Sequence, residues 1–288
     1  MNMSHNPPGL LSHGSDARRL LNDAARDARI VVFCGIPGVG KSFLLREQVR
    51  VATAAGRQVS LLQWDVSRQA FETPEILRRY PEVGGSTHVI IRRAVGLWSR
   101  EALCHWIATH PDPRHLLLIE APLVGGRLTE LAQRLDDGAE ALLSRSDVRF
   151  YIPTPTVEVR RAIEAARRAE MAANRHARDA ANAIPTLVDE LWQMVADTAR
   201  QLRIDRPDSL SIYSPDAYFA VYKAVLRHRA VTKVMIDEIV SIHESPHDFD
   251  ESLEELAPPA AQVPGLIAEA EREGEEPLAA RAVLWYDT

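Results

Sequence analysis

The sequence predicts a doubly wound α/β fold with a parallel five-stranded sheet and a helical, arginine-rich insertion, and three observations predict it. The stretch from Arg29 to Leu45 runs from a short apolar segment (Ile30 to Phe33) through Gly35-Ile36-Pro37-Gly38-Val39-Gly40-Lys41-Ser42 into an apolar helix. One helix later, Gln58 to Trp64 reads as a second strand ending in Asp65, which implies a right-handed crossover and a parallel pair. His115 to Glu120 is then an unbroken aliphatic run, the pattern of a strand covered on both faces.

The other elements follow in order. Asp16 to Arg29 carries Leu20, Leu21, Ala24, Ala25 and Ala28 at helical spacing, so an amphipathic helix leads into the first strand. The helix after the glycine loop should stop near Gly56. Short and long helices are expected over 73–79 and 86–109, separated by a Pro81-Glu82-Val83-Gly84-Gly85 turn. A helix over 128–144 and a fourth strand from Val148 to Ile152 follow. Residues 156–203 read as helices, the second opening on Pro185. Ser209 to Tyr213 is the expected fifth strand, Ser214-Pro215-Asp216 opens another helix, and Val231 to Ile236 suits a further edge strand. The organisation expected is therefore an N-terminal segment and helix (1–28), a main domain (29–242) with its helical insertion at about 156–203, and an acidic Pro/Glu/Ala-rich tail (243–288) with short helices near 265–273 and 278–286.

The glycine loop carries the strongest chemical signal. Glycines accept positive φ, so consecutive N–H groups can turn inward to cradle a polyphosphate, and the following helix points its positive end at the same anion. Gly35, Pro37, Gly38, Val39, Gly40, Lys41, Ser42 and Phe43 are the expected nucleotide-binding residues, with Lys41 on the β- and γ-phosphates and the Ser42 hydroxyl on Mg²⁺. ATP and Mg²⁺ are thus the expected cofactors.

The rest of the site must set the type of chemistry. No Asn-Lys-x-Asp guanine signature is present, and the third strand ends in one acid, Glu120, followed by Ala121-Pro122. One carboxylate can hold or orient the metal; no second acid beside it is available to activate water. Asp65 sits where a strand ends beside the phosphate site and is expected to act as catalytic base or acceptor anchor, with Arg68 and Arg92 as substrate-binding candidates. The plainer alternative is that Asp65 caps the next helix and Arg68 lies on the surface.

Composition narrows the partners. With 46% hydrophobic residues in 288, the chain can build a sizeable core. No apolar run approaches a membrane span, and the N-terminus lacks a basic, apolar leader, so a cytoplasmic protein without a membrane partner is expected. Cys34 and Cys104 form neither a disulfide framework nor a metal spacing. Charge is uneven: Glu244 to Glu276 carries −10 and the residues beyond it zero, so the first 243 residues hold +4 of the −6 total. That suits an anionic ligand and falls well short of the basic stripe of a nucleic-acid binder.

On these residues the chain resembles the P-loop kinase superfamily, which includes nucleoside monophosphate kinases, adenylylsulfate kinases and zeta-toxin kinases. The resemblance spans about residues 28–230. It rests on GIPGVGKS, on Asp65-Val66-Ser67-Arg68, on the apolar strand ending in Glu120 and on an arginine-bearing helical segment after the fourth strand. It implies transfer of the γ-phosphate of ATP to a small-molecule or nucleotide acceptor, a metal-assisting role for Glu120, and a LID closing over the phosphates. Arg161, Arg168 and Arg175 recur every seven residues on one helix face. Arg160 and Arg167 beside them are the first choices for charge neutralisation, being nearest the fourth strand. A solvated helix paired through Glu158, Glu164, Glu170 and Asp179 is the alternative for any one of them. The main rival function is an NTPase or nucleotide-binding regulator that meets a protein partner, or a second copy of itself, through the helical region or the tail. A toxin-like kinase acting on a nucleotide sugar is the third.

Overall fold

The computed structural model describes residues 11, 12, 14–173, 185–204, 213–239 and 253–288. They form an α/β structure on a single six-stranded sheet in which every pairing is parallel, with strand order β5-β4-β1-β3-β2-β6. The strands are β1 (Ile30–Cys34), β2 (Gln58–Gln63), β3 (His115–Ala121), β4 (Val148–Pro155), β5 (Val231–Ile236) and β6 (Glu254–Glu255). The helices are α1 (Asp16–Asp27), α2 (Lys41–Ala54), α3 (Trp64–Gln69), α4 (Pro74–Arg79), α5 (Val89–Thr109), α6 (Gly138–Leu143), α7 (Val157–Ala173), α8 (Pro185–Gln201), α9 (Pro215–Val225), α10 (Val263–Glu273) and α11 (Glu275–Val283). No helix among the described residues is long and apolar enough to cross a membrane.

Strand alternation divides the core in two. Val31 and Phe33 face α1 and α2, whereas Ile30, Val32 and Cys34 face a larger cluster that includes α5, α8 and α9. The step from β1 to β2 moves one way across the sheet and the steps from β2 onward to β5 move the other way. Right-handed crossovers must therefore put α2 on one face and α5 and α9 on the opposite one. β1 and β3 are neighbours whose outgoing connections run in opposite directions across the sheet, so a crevice opens beyond their carboxyl ends.

The sheet has six strands where five were expected. Residues 209–212 of the expected fifth strand lie outside the described residues, and Tyr213 is not in a strand. The fifth place is filled by Val231–Ile236, paired with β4 from Phe150↔Val231 to Pro155↔Ile236. The helix expected over 128–144 is broken: a 3-10 turn at Thr129–Leu131 precedes α6, whose N-cap Asp137 accepts from the Glu140 amide. The Asp136-Asp137-Gly138 run favours a cap over helix continuation.

The C-terminal segment is also more ordered than a tail. Its described part begins at 253, adds β6 beside β2, and lays α10 and α11 along α5. Val263, Leu266, Ile267 and Ala270 repeat at helical spacing and are buried with Leu278 and Trp285 in the larger core. The many glutamates between them hide that stripe in the composition, and they dock it. Glu271 binds Arg79 and the Tyr80 hydroxyl, Glu273 binds Arg93 and Arg281, and Glu275 lies 3.3 Å from His88.

Candidate functional site

The loop between β1 and α2 has the conformation its glycines predict. Gly35, Gly38 and Gly40 have φ of +140°, +83° and +90°, and Gly40 is the N-cap of α2 with no side chain capping it. A Cβ on Gly40 would meet Ile236 Cδ1 at 2.7 Å, and one on Gly35 would meet the Tyr218 hydroxyl at 2.0 Å. Both positions need glycine for space as well as for φ. Among the described residues no loop amide from Ile36 to Gly40 donates a backbone hydrogen bond, whereas the Gly40 carbonyl already accepts from Leu44. Donors left over at a helix start form a concavity suited to an anion. Val39 and Phe43 are buried, one in each core layer, and anchor the loop; Pro37 is half-buried at its tip.

Two side chains of this loop meet one carboxylate. β1 and β3 are direct neighbours in the sheet, with Phe33 opposite Glu120. Glu120 accepts from the Ser42 hydroxyl at 3.2 Å on both oxygens and lies 3.6 Å from Lys41 Nζ, which also donates to the Ile36 carbonyl at 3.1 Å. Lys41 is buried and Glu120 is only 15% exposed at its side chain, so the three groups interact in a weakened dielectric. The set fits a triphosphate with Mg²⁺: the lysine is folded across its own loop, and the hydroxyl and carboxylate together present hard oxygen donors. Among the described residues no group of three or more His, Cys, Asp or Glu could hold a metal unaided.

A second group lies one and two strands over, on the loops after β2 and β3. Gln63, not Asp65, caps α3, and Asp65 projects from its first turn with a side chain 57% exposed, 3.7 Å from Arg68 Nη2. Arg68 is not a free surface residue: its side chain is only 13% exposed and also pairs with Glu72 and, at 3.4 Å, Glu82. Arg92, in the first turn of α5, donates to the carbonyls of Thr87 (2.8 Å) and Gly125. Arg127, which the sequence reading passed over, is 6% exposed and donates to the Ser86 hydroxyl at 2.6 Å. Burial pushes the Arg127 guanidinium down to about 9, with the positive charges of Arg92 and Arg68 adding to the effect and Asp65 and Glu190 opposing it; burial brings Arg92 to about 10. The structure thus brings together Asp65, Arg68 and Arg92, all three expected here, and adds Arg127. The available signal was Gly125-Gly126-Arg127: two glycines at positive φ after a buried strand, re-aiming a cation back to the carboxyl edge of the sheet.

Arg160, one of the two arginines expected to act as LID groups, is packed in place. Arg160 is 4% exposed, stacked 4.3 Å from the Tyr213 ring and 5.2 Å from that of Trp192, with Nε donating to Glu164 at 2.8 Å. Its Nη1 has no partner among the described residues. Arg161 is exposed, and the side chains of Arg167 and Arg168, with all of Arg175, lie outside the described residues. The Tyr213 hydroxyl donates to the Pro155 carbonyl at 3.0 Å. Tyr213 packs on Tyr218, whose fully buried hydroxyl reaches Gly35 and has no partner among the described residues. Tyr218 could not be read as a site neighbour from sequence, because its approach to Gly35 depends on how α9 crosses the sheet.

Comparison of the chain with protein-family models, curated proteins and solved structures finds no match. Function is therefore argued from the site.

Proposed function

We propose that the chain is an ATP- and Mg²⁺-dependent phosphotransferase that moves a γ-phosphoryl group to a hydroxyl or phosphate of a small-molecule or nucleotide acceptor. The observation that carries this reading is the meeting of Ser42 and Lys41 on Glu120, directly over a glycine loop whose amides are left to donate. The placement of Glu120 on the strand immediately beside β1 supports the same reading, because a carboxylate there needs no intervening element to reach the loop.

Each residue then has a defined task. The loop amides and the positive end of α2 bind the polyphosphate. Lys41 exchanges the Ile36 carbonyl and Glu120 for phosphate oxygens and neutralises charge that grows on the transferring group. Ser42 and Glu120 would hold the metal, which would supply positive charge against the phosphate oxygens. Asp65, at the exposed mouth, accepts the proton of the attacking hydroxyl. Arg68 fixes the Asp65 carboxylate, and Arg92 sits where the acceptor would be held.

The test is nucleotide consumption by the full chain with and without a metabolite extract. Acceptor-dependent ADP formation that is lost in both Lys41→Ala and Asp65→Asn supports transfer. Acceptor-independent hydrolysis that survives Asp65→Asn and is lost in Lys41→Ala assigns the chain to the NTPase or regulator class instead.

A further inference from the structure

Arg92 and Arg127 approach one another through two short segments of chain. Arg92 binds the Thr87 and Gly125 carbonyls; Arg127 binds the neighbouring Ser86 hydroxyl, and its Nη1 lies 3.1 Å from the position of a Cβ on Gly125. Gly125 has φ +57° and no side chain, so the two guanidiniums share the space around it. Among the described residues neither forms an ion pair: their partners are neutral oxygens, and Asp65 and Glu190 act on Arg127 only through space. Elsewhere on this side of the sheet a buried arginine has its carboxylate. Arg100 takes Asp137 at 2.6 Å, Arg229 takes Glu140 at 2.8 and 2.9 Å, and Arg93 takes Glu130 at 3.1 Å and Glu273 at 2.6 Å. Arg29 and Arg57 bond to carbonyls as well, but at the amino ends of β1 and β2, away from the glycine loop. A buried cation (Arg127) held beside a half-buried one (Arg92) without a counter-ion is costly, and the arrangement suits an anion that completes it.

Arg92 also borders a narrow recess of about 20 Å³, the room of a single water, between α5, the 125–130 loop and α11. Glu130, 4% exposed, lines it with its unpartnered oxygen against Gly96 of α5, and Ala282 on α11 closes the side facing Gly126, so the seat is limited to the space around the two guanidiniums.

We propose that Arg92 and Arg127 seat a dianionic oxyanion group of phosphate-ester type on the acceptor. Two guanidiniums match two negative charges and present planar, forked donors to tetrahedral oxygens, which a neutral sugar or a monocarboxylate cannot satisfy. The ligand is called an acceptor on the strength of the phosphotransferase reading; the seat itself is tested without any transfer reaction.

Calorimetric titration of the full chain, with Mg·ADP saturating the glycine loop, uses inorganic phosphate, ribose 5-phosphate, AMP and acetate as probes. The expected result is saturable binding of phosphate and of at least one ester, binding of acetate at least tenfold weaker, and a loss of phosphate affinity of tenfold or more in Arg127→Met and in Arg92→Gln. Ribose 5-phosphate against AMP tells a sugar phosphate from a nucleotide. Phosphate should also raise the thermal midpoint of the parent chain and leave that of Arg127→Met unmoved, a readout that shows at once whether the variant is folded; Arg127→Lys should keep part of the affinity. Equal phosphate affinity in the parent, Arg127→Met and Arg92→Gln would overturn the seat. If Mg·ADP does not bind, the phosphotransferase reading fails by itself, and the same phosphate titrations in a Lys41→Ala chain still decide the seat.

Discussion

The two halves of the cleft handle charge in opposite ways. Around the glycine loop, Lys41 and Ser42 are satisfied by Glu120 and the Ile36 carbonyl, so the site is internally balanced before any ligand arrives. Beyond β2 and β3, the half-buried Arg92 of α5 and the buried Arg127 bond to neutral oxygens and carry positive charge that no contact among the described residues cancels. The difference teaches where affinity should come from. A triphosphate meets the unpaired loop amides but must displace the partners of Lys41 and Ser42, whereas a charge-assisted hydrogen bond gained on the second half displaces no ion pair.

The comparison breaks first at Lys41. Lys41→Ala should lower phosphoryl transfer roughly 10³-fold, measured as ADP formation in the presence of acceptor, because the lysine is the charge that follows the transferring group. A variant with near-parental activity would make the balanced half dispensable. Asp65→Asn should cost about 10²-fold in kcat while nucleotide affinity stays within about threefold, since its carboxylate lies outside the loop and acts on the acceptor. Equal losses in nucleotide binding would move Asp65 to the other half of the comparison.

Arg229 sharpens the contrast as a buried arginine that is fully paired. Its guanidinium, with that of Arg100, holds the Glu140 carboxyl down to about 2, against an ordinary value near 4.5. A carboxyl with a lowered folded pKa stabilises the fold above its unfolded value and loses that contribution as protons bind. Stability should therefore fall as pH drops from about 4.5 to about 2, by on the order of 2 kcal/mol. Glu140→Gln should flatten that part of a denaturation-versus-pH curve, and an unchanged slope would remove the pairing from the account. Arg127 should behave in the opposite sense. Arg127→Met removes an uncompensated buried cation and should raise the unfolding free energy by about 1 kcal/mol in denaturant melts without ligand. A loss of several kcal/mol would show that the Ser86 contact is a structural clamp.

The sequence was most legible where one local pattern determined one element. The glycine loop, β1, β2 and β3 followed from apolar runs and punctuation, and Asp65, Arg68 and Arg92 do gather beyond the carboxyl ends of β2 and β3. Local signals failed where the outcome depended on distant partners. Arg160 reads as a mobile helix cation until Trp192 and Tyr213 close on its faces. The stretch after Val263 reads as short helices within an acidic tail, and the helices are there, but their docking is seen only when the apolar stripe finds α5 and the glutamates find Arg79, Arg93 and His88. Arg127 looks like a loop cation until the turn at Gly125 and Gly126 carries it inward.

The most direct measurement of the central claim is a calorimetric titration of Mg·ATP into the full chain and into Lys41→Ala. One site per chain in the parent, weakened at least tenfold by chelating the magnesium and lost in the variant, is the result expected of a loop that grips a triphosphate through Lys41, Ser42 and Glu120. Absence of binding in the parent, or binding that neither the chelator nor the substitution disturbs, would contradict it.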